Sequence, residues 1–356
     1  MSADRLYDTW FRRMKELLWM ERITRVRNLV WLMVGLSLSR SVHLSQIAAK
    51  LPSQTKLLSK VQRLTRLLQN GALKVRPWYR PLVQPLLAQV AKNGPVRLIM
   101  DASKVSAHHR LLMVALAYRK RALPIAWTWV NSGRGHSSAL KQLALLGYVQ
   151  RLLPEHAQVI LVGDCEFGST LLLKQVEKWL WHYVLRQKGN TQVCVSVQSR
   201  WQRFVDLVCA KDEPCWYSHA LLTLDLFHTS LLAYWKSGQP EPWLLATNLP
   251  QAQTALAAYR LRMWVEEMFG DWKGHGIDVE KTRLCHVARL SRLTLAVALW
   301  YMWHITEGSR AIKNGKRHLV DRKQRRDLSI FRIGMYMIDR CFALRAACTV
   351  RLLPYF

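Results

Sequence analysis

Between residues 96 and 187 the sequence changes periodicity at every short segment, and that order restricts the chain to a mixed α/β sheet. Residues 96–101 form an apolar run ending in Asp101. Residues 108–119 and 123–131 read as two further strands joined by the basic turn Lys120-Arg121. Leucines at helical spacing over 137–153 predict a helix, and residues 158–163 predict another strand that closes on Asp164. A helix over 169–181 and a strand over 183–187 complete the pattern. Three strands in succession, then strands alternating with helices, give a mixed sheet flanked by helices, with Asp101 and Asp164 at strand ends.

The segments on either side have a different character. Residues 1–95 read as helical, and from Arg22 to Met100 there are 14 Lys and Arg and not one Asp or Glu. Within them a short helix at 43–51, a turn at 52–54 and a longer helix at 55–69 resemble a helix-turn-helix. The second helix carries Lys56, Lys60, Arg63 and Arg66 opposite Leu57, Val61, Leu64 and Leu68. A DNA-reading module and a small bundle with a solvated basic face both fit this spacing. Residues 190–250 alternate weakly and predict a small β-rich insertion, 293–305 an apolar helix, 308–329 a basic segment, and 330–347 a closing helix.

The whole chain of 356 residues carries 53 basic against 23 acidic residues, a net charge of +30. A field of that size points to a polyanion, with nucleic acid as the default. Half of the residues are hydrophobic, which excludes a disordered chain. The apolar runs 29–38 and 293–300 are shorter than the roughly 20 residues a membrane helix needs, and the start has no signal-peptide pattern. The seven cysteines form no CxxC pair and read as reduced thiols. A cytoplasmic, nucleoid-associated protein with no membrane contact is the expectation.

One further stretch is chemically loaded. Residues 259–273, YRLRMWVEEMFGDWK, place Tyr259, Arg262, Glu266 and Lys273 at spacings of three, four and seven. On a helix turning about 100° per residue these fall within an arc of roughly 60°. A core-facing stripe would want Leu or Val, so a carboxylate flanked by two cations and a phenol is meant for an anion and a metal. Glu266 then joins Asp101 and Asp164 as a third carboxylate, the hard-oxygen donor set that Mg²⁺ accepts. Two such ions roughly 3.5–4 Å apart drive phosphodiester displacement by activating the attacking oxygen and stabilising the leaving one. An Asp after an apolar strand also serves as a simple terminator, and Glu166 and Glu267 are rivals in sequence. Glu267, however, lies about 80° off the stripe.

The spacing Y-x2-R-x3-E-x6-K resembles the signature of bacterial insertion-sequence transposases of the DDE type, the Tyr-Arg-Glu-Lys group. LIMDAS around Asp101 and LVGDCEFGS around Asp164 resemble that family's two Asp motifs, in the same order, over about residues 95–290. The resemblance implies an RNase H-like catalytic core with a β-rich insertion before the Glu. It implies that Asp101, Asp164 and Glu266 hold two Mg²⁺ ions, with Mn²⁺ able to substitute, and that Tyr259, Arg262 and Lys273 grip phosphates of the transposon end. Trp243 would stack on a flipped base in members that cut through a DNA hairpin, and His275 and Lys281 are further candidates for DNA contact. The expected domains are 1–95 helical and DNA-binding, 96–190 the first part of the core, 191–250 the insertion, 251–306 the second part of the core, and 307–356 a basic helical tail. The expected partners are double-stranded DNA, as terminal inverted repeats and as target, and a second copy of the chain in a synaptic homodimer. An RNase H-like nuclease or a domesticated DNA-binding derivative is the alternative.

Overall fold

The structure, a computed structural model, describes residues 3–105, 108–131, 137–196, 199–274 and 276–356. The chain divides into two compact units, one formed by Met1–Gln89 with Met268–Phe356, the other by Val90–Glu267.

The chain begins with five helices, α1 (Ala3–Leu17), α2 (Ile23–Ser39), α3 (Leu44–Ala49), α4 (Leu57–Gln69) and α5 (Val75–Lys92). In α4 the buried residues are Leu64, Leu67 and Leu68. Three buried leucines at i, i+3 and i+4 make one stripe; Arg63 and Arg66 are exposed, whereas Lys60, four residues before Leu64, falls on the stripe side and is half-buried. Leu57 and Leu58, at the helix start, stay exposed.

Among the described residues, the second unit is built on ten strands. They are β1 (Val96–Lys104), β2 (His109–Tyr118), β3 (Arg121–Asn131), β4 (Val159–Gly163), β5 (His182–Arg186), β6 (Gln192–Cys194), β7 (Gln202–Arg203), β8 (Pro214–Leu222), β9 (Phe227–Tyr234) and β10 (Trp243–Thr247). Helices α6 (Ala139–Gln150), α7 (Thr170–Lys178), α8 (Ala252–Tyr259) and α9 (Met263–Trp272) connect or follow them, and the boundary between the units falls inside α9. All ten strands form one sheet in the order β3-β2-β1-β4-β5-β10-β9-β8-β6-β7. The pairs β1–β4 and β4–β5 are parallel and the others antiparallel. Strands 190–250 therefore do not make a separate sheet, because β10 pairs with β5 and carries the insertion onto the core sheet.

Burial along β2 and β3 is nearly continuous, as in strands covered on both faces. By contrast β8 interleaves buried with half-buried and exposed positions. The β2–β3 turn has two central residues, Arg119 and Lys120, both at positive φ, the twist a tight hairpin needs. The turn thus lies one residue earlier than the sequence suggests. Pro124 interrupts β3 beside a register shift, which is tolerated because β3 is the outermost strand.

Two helices close the first unit, α10 (Val287–Lys313) and α11 (Ile330–Ala343). Trp303 of α10 meets Trp10 of α1 edge to face at 5.4 Å. Arg292 donates to the carbonyls of Leu68 and Leu73 at 2.7 and 3.1 Å, tying α10 to the end of α4. Helices α10 and α11 cross at Gly308 and Gly334. A Cβ on Gly334 would fall on the carbonyl oxygen of His304, and one on Gly308 on that of Ile330. Gly334→Ala must therefore push the two helices apart, and we expect it to lower the stability by about 1–3 kcal/mol, read as a lower urea midpoint.

Cys209 and Cys215 are joined as a disulfide, which corrects the expectation that all seven cysteines are thiols. Among the described residues no helix is long and apolar enough to cross a membrane.

Candidate active site

The first two carboxylates meet because of strand register. In the parallel pair β1–β4, Leu98, Ile99 and Met100 lie opposite Leu161, Val162 and Gly163. The next residue on each side is an aspartate, Asp101 within β1 and Asp164 just past the end of β4, where the two strands run about 4.8 Å apart. Contrary to the sequence expectation, Asp101 is not at a strand end. β1 continues to Lys104, paired with β2 up to Arg110. What stops at this point is β4, so Asp101 is the first β1 residue without a neighbour in that strand. Asp164 caps the 3₁₀ turn Cys165–Phe167, its Oδ1 accepting from the Cys165 amide at 2.8 Å. Asp101 Oδ1 likewise accepts from the Ala102 amide at 2.8 Å.

The third carboxylate arrives on a broken helix. Residues 259–273 are not one α-helix: α8 ends at Tyr259, Arg260–Arg262 form a 3₁₀ turn, and α9 begins at Met263. The tighter turn, about 3.0 residues instead of 3.6, alters the 100° geometry on which the four-residue stripe rests. Glu266 stands in the first turn of α9, four residues after Arg262.

Arg262 is the hub. Its Nη1 lies 2.6 Å from Glu266 Oε1, and its Nη2 lies 3.2 Å from Asp164 Oδ2 and 3.5 Å from Asp101 Oδ2. Three carboxylates thus share one guanidinium whose side chain is only 14% exposed. Burial opposes its charge, but the three carboxylates, Asp101 foremost, outweigh that and raise its pKa. Among the described residues its buried Nε has no hydrogen-bond partner.

Asp101 is the most desolvated of the three, with 13% of its side chain exposed against 27% for Asp164 and 47% for Glu266. Burial pushes its pKa up to about 6. Arg262 and the Ala102 amide pull the other way, while Asp164 and Glu266 add to the rise.

Among the described residues, no three His, Cys, Asp or Glu side chains are gathered closely enough to hold a metal ion as they stand. The chemistry of the donor set nevertheless fits a divalent cation. Three hard-oxygen ligands already converge on one positive group, and such oxygens are the donors a divalent cation such as Mg²⁺ accepts.

The rival acids are engaged elsewhere. Glu166 accepts from the Ser137 amide at 2.7 Å, the Ser137 hydroxyl at 2.6 Å and Arg110 at 2.9 Å. That carboxylate ties the turn after Asp164 to Ser137 and Arg110. Glu267 pairs with Arg121 at 2.8 Å.

The other sequence candidates are placed as follows. Tyr259 is 3% exposed, and burial raises its pKa. Its ring meets that of Trp243 edge to face at 5.0 Å, and Trp243 in turn lies 6.1 Å from Tyr234. Tyr259 is thus a buried ring packed against Trp243. Lys273 follows the end of α9 in the other unit and pairs there with Glu280 at 2.8 Å. Lys56 precedes α4 as its N-cap residue, and Lys60 Nζ donates to the Leu51 carbonyl at 2.9 Å. Arg63 Nε donates to Asn28 Oδ1 at 2.6 Å, and Arg66 is exposed. Lys281 pairs with Asp278 at 2.8 Å, and His275 lies outside the described residues.

Arg186 was missed in the sequence. It follows Leu185, which the β4–β5 register sets opposite Gly163, so it emerges beside Asp164. Its Nη1 is 3.8 Å from Asp164 Oδ1. Nη2 is held by Glu241 and the Pro242 carbonyl at 2.8 and 3.1 Å. Only the register of two parallel strands marks it, and a single sequence does not display that register.

A search of curated proteins finds no match. A cryo-EM structure of a piggyBac transposase synaptic complex with hairpin DNA is similar at 11% identity and a TM-score of 0.46, over 96% of this chain and 78% of that one. The profile of the family described as "Transposase DDE domain" matches residues 92–303, which hold all three carboxylates and more than half of the chain, and the protein therefore belongs to the DDE transposases.

Proposed function

We propose that this protein is a cut-and-paste transposase of the Tyr-Arg-Glu-Lys group of bacterial insertion sequences, with an RNase H-like core. The observation that carries the reading is the convergence of Asp101, Asp164 and Glu266 on the single cation of Arg262. The sheet order β3-β2-β1-β4-β5, antiparallel and then parallel, supports the RNase H-like assignment. The five domains set out from the sequence remain our proposed division of labour.

In this reading Asp101, Asp164 and Glu266 hold two Mg²⁺ ions, or Mn²⁺ in their place. When bound, such ions supply Lewis-acid activation of the attacking oxygen and charge stabilisation at the leaving one. The protein's own groups do the rest. Arg262 exchanges its carboxylate partners for a phosphate of the element end, a charge-assisted and bidentate contact that guanidinium makes well. Lys273 adds a second phosphate contact, and Tyr259 holds Trp243 in place. Trp243 is half-buried at the start of β10, where its ring would stack on a base extruded in a hairpin intermediate; stacking of this kind offsets about 1–3 kcal/mol of the unstacking cost. Lys56, Lys60, Arg63 and Arg66 contact the inverted repeats, two protomers pair the ends, and the freed 3′-hydroxyl joins target DNA.

The test is cleavage and joining of the element's terminal inverted repeats by the purified protein. We expect products with Mg²⁺, none with a chelator, and a hairpin species in between. Asp164→Ala that cleaves like the wild type would sink the site assignment. Open nicked ends without any hairpin would remove the role given to Trp243.

A further inference from the structure

The basic segment after α10 is folded rather than slack. It leaves α10 through Gly315 at positive φ, makes a 3₁₀ turn at Lys316–Leu319, and runs back to Ser329, the N-cap of α11. Its centre is Arg317, whose side chain is 19% exposed. Arg317 Nη1 donates to Asp321 Oδ2 at 2.9 Å and to the carbonyls of Arg322 and Arg325 at 2.6 and 3.0 Å. Its Nη2 donates to the carbonyl of Lys323 at 3.0 Å. Asp321, whose side chain is 2% exposed, also accepts from the Arg322 amide at 2.9 Å.

The consequence is electrostatic. Three carbonyl dipoles and one carboxylate, all of which would repel a phosphate, are turned inward onto one guanidinium. The side chains of Arg322, Lys323, Arg325 and Arg326 are exposed on the outside. Asp327, the other acid of the loop, steadies two of them: it lies 3.2 Å from Arg322 Nε and 2.8 Å from Arg325 Nε. Those arginines remain 79% and 82% exposed. Four cations in five residues, on a backbone fixed in advance, lose less conformational freedom on binding than a slack tail would.

We propose that loop 316–328 is a duplex-binding element that grips the phosphate backbone of DNA without reading its sequence. It rests on the transposase reading for the choice of DNA as the polyanion. Cations on a loop contact phosphates and set position rather than base identity. The contact is additional to the residues of α4 and of the carboxylate cluster.

The experiment is a fluorescence-anisotropy titration of the full chain with a random-sequence duplex at several salt concentrations. Each phosphate neutralised contributes about 0.9 to the slope of log K against log salt. The fourfold variant Arg322→Gln, Lys323→Gln, Arg325→Gln, Arg326→Gln should therefore lose about 2–4 from the magnitude of that slope. A charge-matched control, Lys174→Gln, Lys178→Gln, Lys211→Gln, Lys236→Gln, removes exposed lysines of the other unit and should change it by less than about 1. Arg317→Ala keeps all four outer cations but frees the backbone, and should weaken binding several-fold. Equal slopes for the fourfold variant and the wild type would overturn the proposal. So would an equal loss in the control, which would mean that net charge alone matters. Binding of anionic lipid vesicles that depends on the four cations, with duplex binding unchanged, would assign the loop to a membrane instead. A wild-type protein that fails to bind any duplex would sink the transposase reading itself.

Discussion

Asp101→Asn is expected to abolish cleavage, by about a thousandfold or more, while making the protein itself more stable. The loss follows from removing a charged oxygen from the donor set. Such an ion contributes several kcal/mol of charge stabilisation, and roughly 4 kcal/mol corresponds to a factor of a thousand. The gain in stability follows from burial. The Asp101 pKa is raised from about 3.8 to about 6 by desolvation, so the folded state holds this proton more tightly than the unfolded chain does. Its contribution to stability is therefore greatest below about pH 3.8 and is lost as the pH rises through about 6. The difference amounts to roughly 3 kcal/mol at pH 8. Asn keeps the shape and carries no charge to desolvate. Thermal melts of both proteins without divalent cations, from pH 4 to 8, should show the curves diverging between about pH 4 and 6 and staying apart above that, with the variant higher. Duplex binding should persist in the variant, which separates lost chemistry from lost folding. A variant that melts lower than the wild type at pH 8 would mean that the Asp101–Arg262 contact outweighs the desolvation of Asp101.

The strands β1 to β5 were legible to within a few residues because each is an apolar run buried on both faces, bounded by polar turns. The end of β1 was not, because Ala102, Ser103 and Lys104 are not strongly apolar. They stay in the sheet through main-chain pairing with Leu112, Leu111 and Arg110, which leaves no hydrophobic trace. The insertion was visible as weak alternation, but its attachment to the main sheet depends on β10 reaching β5 across more than 50 residues. Its Cys209–Cys215 bond carried no motif.

The candidate site divides in the same way. The aspartates announced themselves, Asp101 as the first acid after a long basic stretch and Asp164 after VILVG. That Met100 faces Gly163, and so brings the two acids side by side, is a fact of register. The stretch 259–273 stands out in the sequence for its charges, but it is not one uniform helix. The 3₁₀ turn at Arg260–Arg262 shifts the phases, Tyr259 turns into the core, and Lys273 falls in the other unit. From the sequence, Arg262 is expected to be a phosphate ligand. The structure gives it a second relation, to all three carboxylates at once, which periodicity could not express because two of those acids lie about 100 or more residues away in sequence.

That relation leads to the second large effect. Arg262→Ala is expected to destabilise the protein at pH 8 by about 2–4 kcal/mol, and added Mg²⁺ or Mn²⁺ is expected to restore much of the loss. Removing one partner of a buried charge cluster leaves the others uncompensated, at a cost of about 3–5 kcal/mol in fully buried cases. The figure here is smaller for two reasons. Glu266 is nearly half exposed, so its share is screened by solvent. Asp101 already sits near pH 6, and without the guanidinium it takes up a proton before the full electrostatic cost accrues. The deficit should accordingly shrink below about pH 5. The cation dependence is the discriminating readout. In the wild type a divalent ion must displace a guanidinium already in place, whereas in Arg262→Ala the carboxylates are open to it. The melting temperature of the variant should therefore rise more steeply with divalent concentration than that of the wild type, in the absence of DNA, and not with an equal ionic strength of KCl. A variant as stable as the wild type and indifferent to divalent ions would mean that the three carboxylates do not form a cation site. Cleavage should be lost in this variant even at saturating metal, because the phosphate then has no guanidinium to receive it.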